Sequence, residues 1–148
     1  MSEPRRMNLL ERLTHWRAKP QSPLAHRHGT LGEEAARKHL QSKGLKYLTR
    51  NFNSGRGEID LVFRDEDCLV FVEVKTRSSE AWVRPAASVN AGKRRRLSKC
   101  AFDYLRLLRT PQVKLRFDVV EVLLCDSAVK EIRHLPNTFT LSAPYRHG

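Results

Sequence analysis

Two short apolar runs, Ile59–Phe63 and Leu69–Val74, stand on either side of the polar link Arg64-Asp65-Glu66-Asp67-Cys68. Runs of Val, Leu, Ile and Phe of this length around a few turn-competent residues predict a β-hairpin. Upstream, Leu31, Ala35, Ala36, His39 and Leu40 recur at helical spacing, with Gly44 placed to close the helix. Thr30-Leu31-Gly32-Glu33 has the form of a capping box, which predicts a helix start at Thr30. Leu45–Asn51 reads as a first strand, and the linker Asn53–Gly57 leads into the hairpin. Downstream, Leu97, Ala101, Tyr104, Leu105 and Leu108 form the apolar stripe of a long helix from about Asn90 to Arg109. Lys114–Cys125 is a further strand, interrupted by Asp118 and Glu121, and Ala128–Leu135 a weaker last one.

The predicted order is therefore α-β-β-β-α-β-β. It implies a single α/β (α+β) domain with a mixed central sheet flanked by helices. The boundaries read as a basic extension over 1–28, a domain over 29–136 and a loose tail over 137–148. Within the extension, Leu9, Leu10, Leu13 and Trp16 have helical spacing, but a helix this short is marginal in water, so an arm is expected.

The hairpin is unusual in where its charges sit. Asp60 interrupts the first strand, and Glu73 and Lys75 interrupt the second on one shared face. Symmetric closure about the Glu66–Asp67 bond pairs Asp60 with Glu73 and Glu58 with Lys75. Opposed carboxylates on a sheet repel by up to ~1 kcal/mol, and burial raises that cost. A hard divalent cation between them, Mg²⁺ or Mn²⁺, is the simplest reason for the arrangement. The alternative is plainer: Glu73 and Lys75 are solvated at a strand end, and Asp60 forms an ordinary ion pair.

Charge adds to the picture. Lys and Arg outnumber Asp and Glu by 28 to 16 in 148 residues, a net +12. A surface so basic attracts polyanions, nucleic acid foremost. The first turns of the long helix hold Lys93, Arg94, Arg95, Arg96 and Lys99, against the sense of the helix dipole. That is unfavourable for an isolated helix and suited to holding phosphate, although a solvated basic face would look the same. Lys93, four residues before Leu97, should point toward the strands while the other cations fan outward. Arg56 and Arg77 flank the hairpin and join the nucleic-acid-binding candidates. Trp82 either stacks on a base or covers the edge of the core.

No apolar run approaches a membrane span, so no membrane partner is expected. Cys68, Cys100 and Cys125 form no CxxC pair and read as reduced thiols of a cytoplasmic protein.

Gly57-Glu58-Ile59-Asp60-Leu61 and Phe71-Val72-Glu73-Val74-Lys75-Thr76-Arg77 resemble the signature of the YraN family of small, largely uncharacterised bacterial proteins. That family in turn resembles the PD-(D/E)XK nucleases, in particular the archaeal Holliday-junction resolvases. The resemblance spans about residues 29 to 136. It implies a restriction-endonuclease-like core and metal-dependent hydrolysis of DNA, with a preference for branched or junction substrates. Asp60 and Glu73 would hold Mg²⁺ or Mn²⁺, the Val74 carbonyl would be a further ligand, and Lys75 would serve the reaction. Glu33 matches the segment where such nucleases carry an extra acidic residue, though a capping glutamate needs no such role. Of Glu33 and Glu34, the helical stripe turns Glu33 toward the sheet. Glu58 would be a ligand or a partner of Lys75. Arg116 and Asp118, in an RFD-like segment, read as structural or peripheral. Resolvases of this type are dimers, so a homodimer is implied. The alternative function is a nucleic-acid-binding adaptor on a nuclease fold, with little or no cleavage.

Overall fold

A computed structural model describes residues 23–78, 89–109 and 113–139. The expected N-terminal arm up to residue 22, the loop with Trp82 and the tail from residue 140 lie outside the described residues. The elements are α1 (Pro23–Ser42), β1 (Lys46–Asn53), β2 (Glu58–Asp65), β3 (Cys68–Arg77), α2 (Ala91–Leu108), β4 (Lys114–Cys125) and β5 (Ala128–Phe139). They form one five-stranded mixed sheet in the order β1-β2-β3-β4-β5, with the expected α-β-β-β-α-β-β succession. All neighbours are antiparallel except β3 and β4. A parallel pair requires a crossover connection, and α2 lies within it.

Each face of the sheet carries a core. On one, Phe52, Ile59, Val62, Phe71, Phe117 and Phe139 pack with Leu97, Ala101 and Leu105 of α2. On the other, Leu61, Phe63, Val70, Val72, Val120 and Val122 pack with Ala36 and Leu40 of α1. Central strands β3 and β4 are thus apolar on both faces, as a strand covered twice must be. Among the described residues, no helix is long and apolar enough to cross a membrane.

Of four local expectations, three change and one holds. First, α1 starts at Pro23 rather than Thr30. Proline suits the first helical position, where its fixed φ is already helical, and with helix upstream Thr30 cannot act as an N-cap. Second, the C-terminal closure is as expected: Gly44 is left-handed at φ 93°, its N–H donates to the Gln41 carbonyl and that of Leu45 to the Leu40 carbonyl. Third, Leu108 is 44% exposed, and Cys100 and Ser98 are buried on α2 in its stead. Fourth, β5 runs past Leu135 to Phe139, which is buried and stacks on Phe117 at 4.5 Å between ring centroids.

The RFD-like segment is structural. Asp118, fully buried, accepts from the Asn137 N–H at 2.9 Å and from Arg116 Nε at 3.1 Å, and lies 2.7 Å from His134 Nε2. Burial alone would raise its pKa; His134, the Asn137 amide and Arg116 outweigh that and hold it below the usual value. Arg116 also donates to Asp65 at 2.9 Å, which ties β4 to the end of β2.

Phe139→Ala should lower the unfolding free energy by about 3 kcal/mol, the usual loss for a buried phenylalanine, as measured by urea denaturation. A loss typical of a surface change, below about 0.5 kcal/mol, would remove the end of β5 from the core.

Candidate functional site

The hairpin keeps the expected register only in part. Asp65↔Cys68, Arg64↔Leu69, Phe63↔Val70, Val62↔Phe71 and Leu61↔Val72 are paired, and there the β2–β3 ladder stops. The expected pairs Asp60 with Glu73 and Glu58 with Lys75 are absent from it. Instead β2 continues beside β1, ending with Asn53↔Glu58, and β3 continues beside β4 as far as Arg77↔Leu123. The strands fork. Ile59 packs on the α2 side and Leu61 on the α1 side, although residues two apart normally share a face. So β2 changes the face it presents at Asp60. The Asp60 carboxylate takes over where the ladder ends, accepting from the Val74 N–H at 2.8 Å.

A cleft of about 290 Å³ opens in this fork, lined by Glu33, Gly57, Glu58, Asp60, Glu73, Lys93, Arg96 and Leu97. Its walls come from α1, the start of β2, β3 and the first turns of α2. Two glycines set the spacing. A Cβ on Gly57 would lie 2.6 Å from the Arg96 carbonyl oxygen, and one on Gly32 would overlap the Thr76 hydroxyl. The buried Cys100 thiol, pushed up to about 11 chiefly by burial, donates to the Gly57 carbonyl at 3.1 Å. Both helices are therefore drawn close to the ends of the diverging strands.

Charges in the cleft are strongly coupled. Burial and then the neighbouring Glu73 push Asp60 well above the usual aspartate range, against the opposing Val74 N–H. Burial and then Glu58 raise Glu33, while burial and then Glu73 raise Glu58. Glu73 is 6% exposed, with the Lys93 ammonium in direct contact with Oε1 and Lys75 Nζ at 3.4 Å from the same atom. Burial would lower both lysines. In Lys93 the Glu73 carboxylate outweighs it and the pKa rises; in Lys75 burial and the adjoining Lys93 leave it below normal. Lys93 is thus the counter-ion of Glu73, and Lys75 approaches from outside the cleft lining.

Of the residues singled out in the sequence, Glu33, Glu58, Asp60, Glu73 and Lys93 meet in the cleft, and Arg96 borders it. Glu34 instead pairs with Arg37 on the surface. Arg95 is exposed. Arg94 does not fan outward: its Nε donates to the Val89 carbonyl at 3.0 Å and its guanidinium lies 5.7 Å from the Phe139 ring centre. Arg56 is held by Asp103, with Nε donating at 2.9 Å. Arg77 is half-buried, and its Nε has no hydrogen-bond partner among the described residues. The basic candidates that remain turned outward are Arg95 and Arg96. Asp103 is the residue the sequence reading missed, and a lone acid on the basic α2 was its signal.

Among the described residues no three His, Cys, Asp or Glu side chains form a group that could hold a metal ion by themselves. The donor set at the fork is Asp60 and Glu73, all oxygen. That suits a hard cation such as Mg²⁺, which binds through one or two carboxylates and keeps several waters.

A family profile described as "Uncharacterised protein family UPF0102" matches residues 32–122. A UPF0102 protein of Trichlorobacter lovleyi is 42% identical over 115 residues, covering 77% of this chain and 91% of the relative. One from Solibacter usitatus is 46% identical over 99 residues, 66% of this chain and 75% of its own. Another, from Porphyromonas gingivalis, is 41% identical over 114 residues, 76% and 84% respectively.

The coupled charges predict a pH signature. A carboxyl whose folded-state pKa is raised destabilises the fold above that pKa, because the folded state then gives up a proton it holds more tightly than the unfolded chain. Stability should fall as pH rises from the ordinary aspartate range through the raised value of Asp60. Asp60→Asn, which can still accept from Val74, should raise the melting temperature at neutral pH in chelator. That gain should vanish in acid. An Asn variant no more stable than wild type at neutral pH would contradict the strain assigned to this carboxylate.

Proposed function

Because this chain belongs to the uncharacterised UPF0102 (YraN) family, whose name assigns no chemistry, we propose a function from the cleft itself: metal-dependent hydrolysis of phosphodiesters in DNA. The observation that carries this reading is the meeting of Asp60 and Glu73 at a strand fork beside the basic start of α2. Two carboxylates that raise each other's energy are unfavourable unless a cation joins them. The N–H and C=O of one strand residue point to the same side, so the Val74 N–H on Asp60 directs the Val74 carbonyl into the fork as well. This supports Val74 as a third oxygen donor. Bound there, Mg²⁺ or Mn²⁺ would polarise a phosphoryl oxygen and make a water acidic enough to attack phosphorus.

The protein's own groups do the rest. Asp60 and Glu73 would hold the cation at the fork. Lys75, the less basic of the two lysines on Glu73, orients the attacking water or stabilises negative charge growing on the phosphoryl group. Glu33 and Glu58 border the cleft and would hold water around the cation. Arg95 and Arg96 face outward to meet the nucleic-acid backbone. Branched substrates suit a concave site between a strand fork and a helix, and two copies of the chain would match the two-fold symmetry of a four-way junction.

A panel of labelled branched, single-stranded and duplex DNA with Mg²⁺, Mn²⁺ or EDTA tests this. Cleavage should require the metal and fall at least ~100-fold in Asp60→Ala, Glu73→Ala and Lys75→Ala, with DNA binding retained. The same cleavage in all three variants would sink the mechanism. Salt-dependent binding with no product under any metal would favour the adaptor reading. The double change Arg95→Ala, Arg96→Ala should weaken binding across sequences and reduce the slope of log K against log salt by about 2. An unchanged slope would move the interface elsewhere.

A further inference from the structure

Lys93 sits where a cation belongs. Its ammonium is in contact with Glu73 Oε1 inside the cleft, among Glu33, Glu58 and Asp60. Lys75 also reaches Glu73, at 3.4 Å, but from a strand and from outside the lining. Lys93 comes from the first turn of α2, on a flexible four-carbon stem whose backbone N–H is fixed at 2.9 Å from the Asn90 side chain. The stem can swing without moving the helix. Arg96, one turn further along α2, borders the same opening.

We propose that Lys93 is a resident counter-ion: it neutralises Glu73 while the cleft holds no metal, is displaced when a divalent cation takes Glu73, and then turns to a phosphate oxygen of the substrate. The proposal rests on the metal-binding reading given above and deepens it. Without metal or Lys93, Glu73, 6% exposed beside Asp60, would keep only Lys75 at 3.4 Å, and a buried carboxylate so weakly paired is costly. Lys93 removes that cost in the absence of metal. A second cation on the same oxygen would meet the ammonium's like charge, so metal and Lys93 exclude one another. Metal affinity is therefore weakened by the protein's own lysine. Loading the metal sets free a positive charge next to the place where phosphate would bind, so metal and nucleic acid should bind with positive coupling.

The test measures binding and needs no turnover. Mn²⁺ is titrated into the full chain and free Mn²⁺ is read by electron paramagnetic resonance, for wild type, Lys93→Met, Lys93→Gln, Lys93→Arg and Glu73→Gln. Both neutral variants should bind Mn²⁺ more tightly than wild type, by roughly 5- to 100-fold as for a typical coupling between sites. Lys93→Arg should stay within a few-fold of wild type, and Glu73→Gln should lose the site. Circular dichroism identifies any variant that fails to fold, and either neutral substitution suffices. If Mn²⁺ binds through Glu73 but the neutral variants bind no tighter than wild type, the counter-ion proposal is overturned and the metal site stands. If neither wild type nor the neutral variants bind Mn²⁺, or if Glu73→Gln binds it as wild type does, the metal reading fails and takes the counter-ion role with it.

Discussion

The hydrogen bond from the Val74 N–H to Asp60 is the constraint on which the rest of this structure turns. A backbone donor at the end of a ladder has to be satisfied. Here a side chain on β2 does what the next backbone carbonyl of that strand would have done. That substitution lets β2 leave β3 and stay with β1, while β3 stays with β4. The gap so made is filled by carboxylates, because the same side chain brings a charge into it. Fork and charge therefore have a single origin in the Asp60 side chain.

The helices answer this fork from both faces. Gly32 lets α1 come down on Thr76, and Gly57 lets the start of β2 approach the α2 backbone at Arg96. Arg56 on Asp103 and Cys100 on Gly57 hold the same contact from either side. Arg94 anchors the start of α2 to Val89 and packs over Phe139, so a cation that looks available for solvent is used to seat the helix. The outcome is a basic helix whose first turns hang over acidic strands at a fixed height. On β4, paired with Val72 of β3, Asp118 collects Arg116, His134 and Asn137 and ties β4 to β5.

Much of this was legible in the residues. The apolar runs and their polar link determine the register from Asp65↔Cys68 to Leu61↔Val72, and the period of α2 turns Lys93 inward with Leu97. Helical geometry likewise separates Glu33, in the cleft, from Glu34, on the surface. Beyond Leu61 the pattern misleads, because alternation assumes that a ladder continues and cannot report a side chain replacing a carbonyl. The capping-box pattern at Thr30 misplaced the start of α1, because the helix already runs from Pro23 and Thr30 lies inside it. Phe139 lies past Pro136, which reads as an end. The ring of Phe117, 22 positions earlier in the chain, stacks on it and helps make it part of the core. The ties of Arg56 and Arg94 are tertiary in the same sense: no local rule pairs residue 56 with residue 103.

The parallel pairing of β3 with β4 also governs how the molecule comes together. Hairpins β2–β3 and β4–β5 are local and close quickly, whereas the crossover must bring distant segments side by side before it gains any contact. Since α2 lies within that crossover and forms one wall of the cleft, the acidic hairpin has no cationic neighbour from α2 until the slowest closure is complete. Before that closure the carboxylates stand open to water, where their repulsion is cheap. Their confinement, with the lysine that offsets it, arrives in one late event, so assembly of the cleft and completion of the fold are the same step.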